Sequence, residues 1–190
     1  MSENEIGLGL EKSLLIVNAF RAEVCPLTKE LGRVCDSEFD DHEQEVRHLF
    51  EADSFASNGD VVVSFAHPRR LGTTISDVHA ICKEFGFRPA GLHETVAVLQ
   101  STDREQIRRL FRGIDIARNR HNSGKLTQSL AVVCLGSYVR SPTAGQLTPV
   151  LSLEKGWGSD GRLHLMKVGE TDCVRPAQMI PLVKTKRRKQ

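Results

Sequence analysis

The stretch from Asp60 to Gln100, DVVVSFAHPRRLGTTISDVHAICKEFGFRPAGLHETVAVLQ, constrains this chain more than any other. Residues 61–65 are β-branched and apolar, the composition of a buried strand. A basic turn follows, and then Ile75, Val78, Ile81, Cys82 and Phe85 recur on one face of a helix spanning residues 74–85. Thr74 and Asp77 have the spacing of a capping box, and Gly86 supplies the stop. Pro89 restarts the chain. Over residues 92–99 two readings compete: Leu92, Val96 and Leu99 share a helix face, whereas residues 95–99 are rich in strand formers. The helix is favoured. A strand feeding a turn feeding a helix places the turn at a strand end, where ligands often bind.

The flanking segments fit around this unit. Residues 12–20 (KSLLIVNAF) read as a buried strand. After Pro26, Leu27, Leu31, Val34 and Cys35 line one side of a short helix. Asp40 and Glu43 cap a second helix with Val46, Leu49 and Phe50 inside. The sequence Thr102-Asp-Arg-Glu105 has capping-box spacing for a further helix that buries Ile107, Leu110, Phe111 and Ile114. Beyond Gly124 the pattern turns to strands at residues 129–139, 148–154 and 162–168, the last two joined by a tight Asp160-Gly161 hairpin turn. Residues 174–183 add a closing strand, and Pro176 with Pro181 assigns it to an edge. The expected class is therefore α+β. An N-terminal α/β portion (1–124) precedes a small, mostly antiparallel β unit (125–183) and a disordered basic tail (184–190).

Composition narrows the functional classes. No apolar run reaches the roughly 18–20 residues that span a bilayer, so no membrane partner is expected. The acidic start MSENEIGLGLEK lacks signal-peptide character. Five widely spaced cysteines without a C-x-x-C point to free thiols in a reducing cytoplasm. Net charge is +2, yet residues 1–60 carry five basic and fourteen acidic groups, whereas residues 61–183 carry sixteen basic and ten acidic ones. Such a bipolar chain either pairs its own halves or offers a basic face to an anionic partner.

The turn His67-Pro-Arg-Arg-Leu-Gly-Thr-Thr74 carries the main candidate site. Arg69, Arg70, Thr73 and Thr74, together with free N–H groups at a helix start, suit an oxyanion, with Arg88 and the tail assisting. Neither phosphate-loop nor dinucleotide fingerprint is present. The bland alternative is a capped helix beside solvated arginines. A second candidate is nucleic-acid contact through Arg104, Arg108 and Arg112 of the Arg-rich helix and Lys186, Arg187 and Arg188 of the tail, against which stands an ordinary solvated face. Two helices across residues 74–99 also invite a helix-turn-helix reading, although Ala80 stands too far from Gly86 for the usual spacing. Asp41, Glu45 and His48 share a helix face but lack a complete metal-binding pattern. Cys82 and Cys134 read as core thiols. His67 is the one histidine at a strand end, and a single imidazole defines no mechanism; Ser137 has no signalled catalytic partner. No cofactor or metal is expected.

From Phe87 onward the chain resembles a group of uncharacterised bacterial proteins. The segments that carry the resemblance are Arg88-Pro-Ala-Gly-Leu-His-Glu94, Val133-Cys-Leu-Gly-Ser137, Thr148-Pro-Val-Leu151 and Arg162-Leu-His-Leu165. The group usually closes with a Trp and a distinct final strand, where this chain has Cys173 and Met179-Ile-Pro-Leu-Val-Lys184. The resemblance implies a helix leading into a small β unit and no particular activity. The leading expectation is thus a non-catalytic binding or adaptor module for an anionic ligand or an acidic protein partner. A nucleic-acid-binding protein and an enzyme using His67 as acid or base are the alternatives.

Overall fold

The strand nearest the C-terminus, not the central stretch alone, ties the fold together. A computed structural model of the chain describes residues 14–24, 59–70, 72–103, 105–106, 108–112, 129–141, 145–154, 161–175 and 178–185. The helices expected before residue 59 and the basic residues 186–190 lie outside the described residues. The elements are β1 (Leu14–Val24), β2 (Gly59–Pro68), α1 (Ile75–Phe85), β3 (Phe87–Pro89), α2 (Leu92–Ser101), β4 (Ser129–Val133), β5 (Val139–Ser141), β6 (Gly145–Glu154), β7 (Gly161–Lys167) and β8 (Gln178–Lys184). Residues 105–106 and 108–112 are helical as well and are called α3. Helices packed on a mixed sheet make the protein α+β.

All eight strands belong to one sheet, with the main path β1-β2-β8-β4-β6-β5. β8 runs antiparallel to β2 and β3 and parallel to β4. Strands from both expected portions of the chain therefore share a sheet through β8. This strand is central, which corrects its expected place at an edge. Alternate side chains divide between two cores: Met179 and Val183 join one cluster, Ile180 and Leu182 the other. A strand buried on both faces reads as a continuous apolar run rather than an alternating one, as Met179-Ile-Pro-Leu-Val183 does. Pro181 is tolerated because of where its missing donor points. Its carbonyl accepts the Ala90 N–H at 2.8 Å, and the N–H and C=O of one strand residue face the same side. The absent N–H thus faces the junction where β4 gives way to β3, and the ladder to β2 loses nothing.

The central stretch folds largely as its residues dictate. β2 extends beyond residues 61–65 and pairs with β1, with Phe20 against Val63 in register. The rings of Phe20 and Phe65 meet edge to face at 5.7 Å. Thr74 Oγ1 accepts the Asp77 N–H at 3.1 Å, and the Asp77 carboxylate accepts the Thr74 N–H at 2.9 Å, completing the capping box of α1. Gly86 ends the helix at φ 72°, a left-handed conformation that glycine adopts without steric cost. α2 is a helix, in accord with the favoured reading. The two helices do not form a helix-turn-helix: β3 enters the sheet between them, and they cover opposite faces. Val78 and Cys82 of α1 pack with Ile180 and Leu182, whereas Val96 and Leu99 of α2 pack with Phe65, Met179 and Val183.

Three further boundaries differ from expectation. Thr102 does not cap α3, because its hydroxyl donates back to the Val98 carbonyl at 2.6 Å at the end of α2. The cap falls one residue later, where Asp103 Oδ1 accepts the Gln106 N–H at 2.7 Å. The expected strand at 129–139 is broken by a turn at Leu135-Gly136 into β4 and β5. The tail does not begin at residue 184, since Lys184 closes β8 opposite Phe87, and the Thr185 amide and hydroxyl both donate to Gly86 O. β6 and β7 form the expected antiparallel hairpin, from Leu147 opposite Lys167 to Leu153 opposite Gly161.

Candidate functional site

The turn that carries the expected anion site is docked onto the loop after β7. Ile75 N–H donates to Asp172 O at 2.9 Å, Ser76 N–H to Glu170 O at 3.0 Å, and Val174 N–H to Thr73 O at 2.9 Å. Thr74 and Cys173 add an isolated bridge. The amide donors at the α1 N-terminus are consequently engaged by protein carbonyls and by the capping box. The threonine hydroxyls are engaged too: Thr73 Oγ1 donates to Arg70 O at 2.9 Å, and Thr74 Oγ1 donates to the Asp77 carboxylate at 2.8 Å. The Thr74 N–H and hydroxyl, both donating to Asp77, hold its carboxyl below its ordinary value, the backbone bond contributing most and the hydroxyl second. An anion at this turn would accordingly be met by the Arg69 and Arg70 side chains. Both are exposed, and neither has an acidic partner among the described residues.

Other candidate cations are occupied. Arg88 meets Glu94 in a bidentate pair, Nη1 to Oε2 at 2.8 Å and Nη2 to Oε1 at 2.5 Å. Glu94 is buried and also accepts the Gly91 N–H at 3.0 Å. The hydrogen bond to Glu94 raises the Arg88 pKa, burial opposes it, and the charge of Glu94 adds to it. Arg88 is therefore paired within the fold by Glu94. On α3, Arg108 and Arg112 both reach Glu105, at 3.5 and 3.7 Å. Arg104 lies outside the described residues, as do Lys186, Arg187 and Arg188. The expected acidic face of Asp41, Glu45 and His48 lies outside them as well, and no grouping of metal-ligating side chains occurs among the described residues.

His67 is buried, with Nδ1 2.7 Å from Pro68 O. Since a carbonyl only accepts, that nitrogen carries the proton, and the ring is anchored by its own neighbour. Cys82 and Cys134 are buried, and burial pushes both thiols up to about 12. Such thiols are poor nucleophiles at neutral pH.

The motifs of residues 88–94 and 133–137 meet in space. Ser137 Oγ accepts the Leu92 N–H at 2.8 Å, supplying α2 with the side-chain acceptor that Gly91 at its N-cap lacks. A Cβ on Gly91 would lie 3.0 Å from that same Oγ. Gly136 N–H donates to Ala90 O at 3.1 Å, and a Cβ on Gly136 would come within 2.6 Å of the Ala90 and Pro89 backbone. Ser137 is thus a helix cap delivered from 45 residues away. Nothing in the sequence of either motif signals that the two touch.

One cleft opens beside this region, on the sheet face that α1 covers. It has a volume of about 190 Å³ and lies between the α1 start, β4, β7 and the 168–175 loop. Lys167, Arg175 and Gln178 line it, none of which stood out in the sequence. No helix among the described residues is long and apolar enough to cross a membrane. No family model, curated protein or solved structure matches the chain.

Proposed function

We propose that the protein is a non-catalytic binding or adaptor module that engages an anionic ligand or partner through Arg69 and Arg70. One contrast supports this reading: the turn arginines are exposed and free of acidic partners among the described residues, whereas Arg88, Arg108 and Arg112 are each paired with a glutamate. Unpaired guanidinium groups on a turn held by backbone hydrogen bonds suit carboxylate or phosphate recognition, because the planar fork presents parallel donors at little reorganisation cost. The double variant Arg69→Ala/Arg70→Ala tests it. Inorganic phosphate should raise the melting temperature of the parent protein, in proportion to its occupancy. The variant should lose that increase while keeping the same melting temperature without phosphate. An equal increase in both proteins would refute the reading. A nucleic-acid partner belongs to the same electrostatic class and would reveal itself by affinity that falls steeply with salt.

A further inference from the structure

The cleft beside α1 contains a buried donor with no acceptor among the described residues. Gln178, at the start of β8, is only 7% exposed and lines the cleft. Its Oε1 accepts the Arg175 N–H at 2.7 Å, while its own backbone N–H donates to Arg175 O at 2.9 Å. A backbone N–H requires an acceptor, so this bond assigns the carboxamide orientation: Oε1 faces Arg175, and Nε2 is the other end. No hydrogen bond from Nε2 is found among the described residues, although buried amide donors are almost always paired. Two exposed cations, Lys167 and Arg175, line the same cleft, and neither has an acidic partner among the described residues. Among the described residues the acid there is Asp172, whose Oδ2 accepts the Gly169 N–H at 2.7 Å. The opposite character comes from Ile75, Val133, Met166 and Val168, which give the cleft an apolar wall.

We propose that this cleft binds a small carboxylic acid, its carboxylate taken by Gln178 Nε2, Lys167 and Arg175 and its short aliphatic body laid against Met166 and Val168. Size and chemistry set the class. At about 190 Å³ the cleft falls below the ~300–1,000 Å³ typical of drug-sized ligands. Inorganic phosphate would satisfy the cations but leave the apolar wall without a partner. The Arg69 and Arg70 side chains do not line this cleft, so the site stands independently of the function proposed for them.

Butyrate is the probe, and the methionine methyl groups report its position. Of the three methionines, Met166 lines the cleft, whereas Met179 is fully buried in the core. With ¹³C-methyl methionine in the full chain, butyrate should shift the Met166 signal saturably at about millimolar concentration and leave Met179 unmoved. Gln178→Glu keeps an acceptor for the Arg175 N–H but replaces the donor with a negative charge, and should weaken binding at least about tenfold. Lys167→Glu, at an exposed position, should weaken it comparably and decides the matter if Gln178→Glu fails to fold. No saturable shift at Met166, or undiminished affinity in a folded Gln178→Glu protein or in Lys167→Glu, would overturn the proposal. Phosphate shifting the Met166 signal at as low a concentration as butyrate would overturn the carboxylic-acid assignment.

Discussion

Replacing Arg88 by Met should destabilise the protein more than neutralising its partner Glu94, and the reason lies in unequal burial. The Arg88 side chain is 39% exposed, whereas that of Glu94 is 2% exposed. Arg88→Met takes a bidentate guanidinium away from a carboxylate that is buried in the protein. Breaking a fully buried ion pair costs about 3–5 kcal/mol. Solvent screens the exposed part of the guanidinium, so we expect roughly 2–3 kcal/mol here. Glu94→Gln leaves Arg88 able to turn its charge towards water, and should cost about 1–2 kcal/mol in weakened hydrogen bonds. The double variant Arg88→Met/Glu94→Gln also removes the buried negative charge and should recover about 1 kcal/mol or more relative to Arg88→Met alone. Urea unfolding at neutral pH measures all three. A penalty under about 0.5 kcal/mol, the range of ordinary surface substitutions, would refute the reasoning. So would a double variant no more stable than Arg88→Met.

Two further outcomes follow from close packing and from burial. Gly136→Ala places a Cβ 2.6 Å from the backbone of Ala90 and Pro89, which a side-chain rotation cannot relieve, and should cost about 1–3 kcal/mol in chemical denaturation. Among the described cysteines, Cys173 is exposed while Cys82 and Cys134 are buried. Brief N-ethylmaleimide treatment of the native protein should label Cys173 well before either buried thiol, as read by peptide mass spectrometry, and equal rates would contradict the core assignment.

The legible parts of the fold were those whose determinants lie close together in sequence. α1 is specified by Thr74, Asp77 and Gly86 around its apolar stripe, and each does in the structure what its spacing implies. β2 and the β6–β7 hairpin are similarly local. Local reasoning went astray at Thr102 because two partners compete for one hydroxyl, and the Val98 carbonyl of the preceding helix prevails over the N-terminus of the next. It failed for β8 for a longer-range reason. Proline within a strand argues for an edge only if its missing donor would face a neighbouring ladder. At Pro181 that direction depends on β3 and β4, which lie about ninety and fifty residues earlier in the chain and reach β8 only on folding.

The candidate sites divide along the same line. Exposed arginines at a turn can be recognised from the sequence, but whether an arginine is available depends on which acid folds beside it. Arg88 lies six residues from Glu94, and the pairing follows from β3 leading directly into α2. Among the described residues Arg69 and Arg70 gain no comparable acid, because the acidic loop that docks nearby meets the turn through its backbone carbonyls at Glu170 and Asp172. The Asp172 carboxylate is held within its own loop by Gly169. The docking that removes the α1 amides from an anion thus leaves the turn's two guanidinium groups without a carboxylate partner among the described residues. The anion-binding reading therefore moves from the helix N-terminus to those side chains, and their replacement by alanine is its direct test.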